Sequence, residues 1–182
     1  MIAPDTALRG TLVRLRPLAE PDIASLVRWY NDPDVLYWLH RSEEPATTTA
    51  AERSRLERSV SDPSQVAWMI ETAEGRAIGY VRIEGIDPPH ERAQLAIAIG
   101  ERDCWGAGYG ADTIRLVLRY GFERLGLRRI ELITDIDNAR GIRCYEKCGF
   151  VREGVLRQHR LRYGKPLDML QMAILRDEWE GK

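Results

Sequence analysis

Apolar and polar positions along the chain fall into two periods, and the switches between them mark the elements. From Leu8 to Leu18 apolar residues (Leu8, Leu12, Val13, Leu15) alternate with polar ones, which predicts a first strand ending at Pro17. At Glu20-Pro21-Asp22 the period changes, and Ile23, Leu26, Val27 and Tyr30 share one helical face. Asn31-Asp32-Pro33 breaks that helix, and Asp34 to Leu39 predicts a short second one. A helix fits Thr49 to Val60, but its few apolar anchors place it on the surface, a candidate cover for a cleft. Gln65 to Thr72, Ala77 to Ile86 and His90 to Ile99 read as three strands of an antiparallel meander. An amphipathic helix, Ala111 to Arg124, leads to a strand from Arg128 to Thr134, and this crossover sets the flanking strands parallel. A second amphipathic helix runs from Asn138 to Cys148 and stops at Gly149. Phe150 to Arg162 and Pro166 to Leu175 form a hairpin through Tyr163-Gly164-Lys165. The expected fold class is α/β (α+β), with one mixed, mostly antiparallel sheet of about seven strands and helices on both faces. Residues 1–182 are expected to form a single domain.

Composition changes this picture little. Hydrophobic content of 44% and charged content of 30% are ordinary for a globular protein. With 27 basic and 28 acidic side chains, the net charge of −1 gives no electrostatic reason for a nucleic-acid or anionic-membrane partner. No secretory signal is visible, and no apolar run approaches the ~20 residues of a spanning helix. Cys104, Cys144 and Cys148 cannot all pair with one another, and the last two lie one turn apart on one helix. A reduced, cytoplasmic protein is the expectation. Small buried side chains are the expected role of these cysteines, since neither the paired spacing of a zinc site nor a base beside a nucleophile is evident; no metal is expected.

The stretch with chemistry in it is Trp105-Gly106-Ala107-Gly108-Tyr109-Gly110-Ala111. Glycines at alternate positions leave a row of backbone N–H groups unshielded, and the helix behind points the positive end of its dipole at them. Together these predict an anion site for the phosphates of a nucleotide-like cofactor. A P-loop is excluded, because Gly110-Ala111-Asp112 lacks the required lysine and hydroxyl residue. A dinucleotide fingerprint is formally met by Gly106, Gly108 and Ala111, with Glu131 or Asp135 as ribose ligand, although an antiparallel meander precedes it. Asp112, in the first helical turn, is a carboxylate that would serve the helix end itself.

Trp105 to Gly110 also resembles the coenzyme A loop of the GNAT acetyltransferases. About thirty residues on, Asp137-Asn138 through Tyr145-Glu146-Lys147-Cys148-Gly149-Phe150 resembles that family's second signature. Arg9-Gly10, Leu15-Arg16-Pro17-Leu18 and Trp29-Tyr30-Asn31-Asp32-Pro33 resemble the amino-terminal part of its ribosomal-protein and spermidine acetyltransferase branch. The resemblance implies N-acetyl transfer from acetyl-CoA to a primary amine by direct attack. It implies that Ile97, Ala98 and Ile99 offer backbone groups to the pantetheine arm, and that Trp105, Gly106, Ala107, Gly108, Tyr109, Gly110 and Ala111 hold the pyrophosphate. Asn138 joins the cofactor site by the same resemblance, and Arg143 is a candidate for a cofactor phosphate.

On the second helix Asn138, Gly141 and Tyr145 fall on one face. Tyr145 is the candidate catalytic residue, as a phenol that protonates the leaving thiolate; the plain alternative is a core tyrosine. Many relatives carry a carboxylate in the strand before the loop, where this chain has Gln94, so the base falls to Glu84, Asp87 or Glu91, with Glu84 preferred. The carboxyl-terminal half is most similar to bacterial spermidine acetyltransferases, yet Arg82 and Gly85 stand where those relatives have acids, leaving Glu43, Glu44 and Glu84 to compensate. The acceptor is therefore open among polyamines, amino sugars, aminoglycosides and protein amino termini. A homo-oligomer is possible by analogy with relatives. The alternative functions are a non-catalytic acyl-CoA-binding regulatory module and a dinucleotide-binding protein.

Overall fold

The computed structural model describes residues 7–39 and 43–179. His40 lies outside them. Eight strands form one sheet in the order β1-β2-β3-β4-β5-β6-β8-β7. They are β1 (Leu8–Arg9), β2 (Val13–Pro17), β3 (Val66–Thr72), β4 (Ala77–Asp87), β5 (Arg92–Ile99), β6 (Arg129–Asp135), β7 (Val151–Arg162) and β8 (Lys165–Leu175). The helices are α1 (Ile23–Trp29), α2 (Pro33–Trp38), α3 (Thr49–Ser61), α4 (Tyr109–Arg119) and α5 (Ala139–Lys147). Among the described strands only β5 and β6 pair in parallel. A dinucleotide fold needs several parallel strands around its glycine loop, so that expectation fails.

Strand alternation sorts the sheet into two faces. Met69, Tyr80 and Ala98 lie in one cross-strand row, while Trp68, Val81 and Ile97 lie in the neighbouring row of opposite orientation. The first row packs on α1 and α2 through Leu26, Trp29, Tyr30 and Val35. The second packs on α4 and α5 through Ile114, Val117, Leu118 and Ile142. Helices therefore cover both faces, as the periodicity implies.

Four local expectations are corrected. The first strand is a hairpin, because the chain turns at Gly10 and pairs Leu8 with Leu15. The carboxylate of Asp112 accepts from Leu12 N–H (2.7 Å) and Val13 N–H (3.0 Å), so it pins that hairpin to the start of α4 rather than capping the helix. The helix after the glycine loop ends in a π-helical turn, Tyr120–Arg124, where Leu125 N–H reaches Tyr120 C=O at 3.1 Å. Finally, α3 lies on the surface against α1 and β3 and lines no part of the central cavity. Its anchor is polar: buried Glu52 accepts from Thr47 Oγ1 at 2.5 Å and pairs with Arg55.

Two arginines tie the first helices to the sheet. Arg16 bridges Asp22 (2.7 Å) and Glu71 (2.6 Å), and both hydrogen bonds hold its guanidinium firmly protonated despite partial burial. Arg162 bonds the carboxylate of Asp135 at 2.6 Å, with the two side chains only 9% and 3% exposed, and stacks 3.9 Å from the Tyr37 ring. Removing one partner of such a pair leaves the other charge buried. Arg162→Leu is therefore expected to cost about 3–5 kcal/mol in urea unfolding. Adding Asp135→Asn should restore part of it, and a double variant no more stable than the single one would contradict that account.

Candidate active site

β5 and β6 pair at Arg92↔Arg129, Ala93↔Ile130 and Gln94↔Glu131, and no further. Beyond that point β5 stays with β4 and β6 stays with β8, so the two strands part. A cavity of about 730 Å³ occupies the gap, within the range of small-molecule sites. Ile97, Ala98 and Ile99 all line it. Gly100 N–H donates to Ile78 C=O at 2.8 Å, so strand alternation turns the peptide groups of even-numbered residues, Ala98 among them, toward β4. Ile97 and Ile99 face the gap instead. The expected backbone role of Ala98 is thus corrected, and Ile99 C=O is already taken by Trp105 Nε1–H at 2.7 Å.

The glycine loop closes one end. Gly106 and Gly108 adopt φ of 81° and 93°, which glycine reaches without strain. The first backbone bond of α4 runs from Asp112 N–H to Gly108 C=O at 3.1 Å, leaving the amides of Tyr109, Gly110 and Ala111 as the unspent donors of a helix start. Trp105 does not join them, since its N–H donates to Arg102 C=O at 3.1 Å and its indole fastens the loop to β5. Gly106, Gly108, Gly110 and Ala111 line the cavity; Ala107 and Tyr109 do not, and the Tyr109 ring packs on the core.

α5 supplies the facing wall. Asn138 caps this helix, accepting from Gly141 N–H at 3.0 Å while its amide donates to Thr134 Oγ1 at 3.2 Å. Both ends of that side chain are spent on positioning. A Cβ at residue 141 would fall 2.5 Å from Asn138 Nδ2, which explains glycine there. Arg143 is exposed and lines the cavity. So does Arg140, which stacks 4.2 Å from the Trp105 ring. Sequence reasoning missed Arg140, whose only signal is its three-residue spacing from Arg143.

Tyr145 packs edge-on against buried Phe150, with ring centroids 6.0 Å apart. Its hydroxyl has no hydrogen-bond partner among the described residues, and the side chain lines the cavity. Burial, with the Cys144 and Cys148 thiols behind it, pushes this phenol well above its ordinary pKa. Cys104 and Cys148 are buried and Cys144 half-buried, all as free thiols; Cys148 Sγ meets Ala111 C=O at 3.6 Å.

Of the three candidate bases only Glu84 reaches the cavity. It sits directly across from Gln94 and pairs with Arg82 Nε at 2.7 Å. Asp87 instead bonds His90 and Arg92, which hold its carboxyl below the usual range, and Glu91 is an exposed turn residue with φ of 49°. Two tryptophans of the amino-terminal helices have different places. Trp29 is core, bonded to Glu101 at 2.8 Å, whereas Trp38 lines the cavity beside Tyr30, Leu39 and Tyr80. Arg160 on β7 is a further lining residue that the sequence did not flag.

Comparison with known proteins agrees with this geometry. The acetyltransferase (GNAT) domain family matches residues 13–151. Spermidine N(1)-acetyltransferase of Escherichia coli K12 is 29% identical over 92% of this chain and 88% of its own length. Aminoglycoside N(6')-acetyltransferase type 1 of Klebsiella pneumoniae is 28% identical over 79% of this chain and 76% of its own. The crystal structure of spermidine N-acetyltransferase from Vibrio cholerae, in complex with CoA and spermine, superposes with a TM-score of 0.84 at 26% identity, covering 91% of this chain and 96% of that one. The chain belongs to the GNAT acetyltransferase family and is an N-acetyltransferase.

Proposed function

We propose that the chain acetylates the amine of a small molecule, with Tyr145 serving the leaving sulfur and Glu84 receiving the proton of the amine. The observation that carries this reading is the unpartnered Tyr145 hydroxyl on the wall of the strand split, in the same cavity as the bare amides of the α4 start. Relatives that act on spermidine and on aminoglycosides support a small-molecule acceptor.

Acetyl-CoA is the acyl donor and supplies the activated thioester. The residues present fit it. The unspent amides of Gly110 and Ala111, with the bare backbone of Gly106 and Gly108 beside them, form a positively polarised cradle for a pyrophosphate. Arg140 and Arg143 add cationic charge beside it, and the free edge of Ile97 matches the amides of a pantetheine arm. Trp105 and Asn138 position the loop and the helix rather than touching phosphate.

For transfer, the acceptor nitrogen must bond the acetyl carbon as the carbon–sulfur bond breaks. The nitrogen then sheds a proton, and the sulfur leaves with an electron pair. Glu84 takes that proton directly or through water, its charge steadied by Arg82. Tyr145 donates a hydrogen bond to the departing sulfur. Because its pKa is raised, complete proton transfer from the phenol is uphill, so the residue works as a donor that stays protonated.

Tyr145→Phe should lower kcat about 100-fold, the lower end of the range for a lost transition-state hydrogen-bond donor, while leaving CoA affinity nearly intact. Thiol release measures the first and calorimetry the second; full turnover would remove the assignment. A raised pKa keeps the donor form present at higher pH, so Tyr145 should impose no alkaline fall in kcat up to pH ~10. An alkaline limb below that value which vanishes in Tyr145→Phe would contradict this. Glu84→Gln should lower kcat at least tenfold while leaving CoA affinity intact, and turnover unchanged by it would return the base to water alone.

The loop is tested by strain. Gly108→Ala forces a side chain onto a φ of 93° and against Leu12 at 3.2 Å. About tenfold weaker CoA binding is expected, equivalent to ~1.4 kcal/mol. Gly75→Ala, at a φ of 86° in the β3–β4 turn with open space around it, imposes similar strain away from the site and should leave CoA binding alone. Equal effects of the two would show that strain, not the cradle, sets the affinity.

A further inference from the structure

We infer that the acceptor is a small zwitterionic amine, an amino acid or near analogue, whose carboxylate is held by Arg160. The inference rests on the acetyltransferase reading above and narrows its acceptor.

The part of the cavity away from the glycine loop is walled by Tyr30, Val35, Trp38 and Leu39 on one side and by Tyr80 and Met169 on the sheet. Four charged side chains reach it among the described residues: Glu44, Arg82, Glu84 and Arg160. Glu84 and Arg82 neutralise each other across 2.7 Å. Glu44 is engaged within the protein. Arg160 has no acidic partner among the described residues. Of the four, Arg160 alone makes no hydrogen bond or ion pair among the described residues.

Its placement is built into the strand. β7 pairs Leu156 with Met169 and Arg160 with Leu167, so three residues of β7 oppose Asp168 alone. Gln158 takes φ of 51° inside this bulge, and its N–H is held by Asp168 Oδ1 at 2.8 Å. Because residues 167 and 169 of β8 share a face, the bulge delivers Arg160 to the side of Met169, toward the cavity. Asp168, between them, belongs to the opposite face and cannot neutralise it. Arg162 follows on the same face as Arg160 but is spent on Asp135.

These charges discriminate between acceptor classes. A polyamine brings several cations to a wall whose one unengaged charged group among the described residues is itself a cation. An amino acid brings one amine, one carboxylate that matches the planar fork of a guanidinium, and a side chain suited to the aromatic wall.

The test compares leucine, methionine and phenylalanine with their carboxamides, and with spermidine, by thiol release from acetyl-CoA. Rates are taken per free amine, because the carboxamide amine is the weaker base. The acids should exceed their amides in kcat/KM at least tenfold. R160Q should reduce the acids to the level of the amides, mainly through KM, with CoA affinity retained, and R160K should recover part. Preference for amides or spermidine, or an acid preference that survives R160Q, would overturn the inference while leaving the acetyltransferase reading intact. Loss of CoA affinity in R160Q without a change in acceptor preference would overturn it too, placing Arg160 at the donor. Tight CoA binding with turnover of no amine at all would overturn both readings.

Discussion

The parallel ladder between β5 and β6 ends after Gln94↔Glu131, and the rest of the site depends on that break. Buried peptide groups require partners, so a strand edge released inside a protein is a demand for something else to bond. Here the released edge is short and its residues have separate fates. Ile99 C=O is claimed by the Trp105 indole, while Ile97 stays open to the gap. The same break also fixes where charge is welcome. Because β5 and β6 are parallel, the helices that follow them, α4 and α5, both begin at the same end of the sheet. Two helix starts thus face the mouth of one split, and an anion there meets the positive end of each.

Contacts distant in sequence hold the split in shape. Gly79 lies so close to Ala98 C=O that no side chain fits, which keeps β4 tight on β5 while β6 diverges. Asp112 ties the start of α4 to a hairpin a hundred residues earlier, through Leu12 and Val13. Phe150 braces the Tyr145 ring from behind. None of these residues needs to touch a substrate, yet each limits where the phenol and the amide row can sit. Their rigidity is what allows the donor half to be written mainly in backbone groups.

Much of this was legible in the chain, and the reasons for success and failure are physical. The meander, the two amphipathic helices and the terminal hairpin follow from periods of two and 3.6, which are local properties. That the glycine loop and Tyr145 line one cavity was readable, because alternate glycines before a helix have few other uses and Tyr145 shares a face with the cap of its helix. What escaped was nonlocal. The turn at Gly10 is the exception, since the adjacent apolar pair Leu12-Val13 already breaks the alternation there. Asp112 looked like a helix-end charge because its partners lie far away in sequence. The peptide direction of Ala98 depends on which neighbour its strand keeps, and Arg160 reaches its face only through a bulge that alternation cannot foresee.

The two halves of the cavity also differ in what sequence change can do to them. A cradle of N–H groups survives substitution of most side chains, provided glycine remains where φ is positive. An acceptor wall made of side chains has no such protection: one change at Arg82, Glu84 or Arg160 reverses a charge. Relatives at 26–29% identity can therefore share the donor half and the fold while differing in the acceptor. The pairing of Arg82 with Glu84 is a case in point. It spends on an internal partner the carboxylate that a polycation would seek, while keeping that carboxylate beside Gln94 on the cavity wall. A carboxylate so paired stays within the cavity without acting as a cation trap, so the proposed base and the recognition of the rest of the acceptor fall to different side chains.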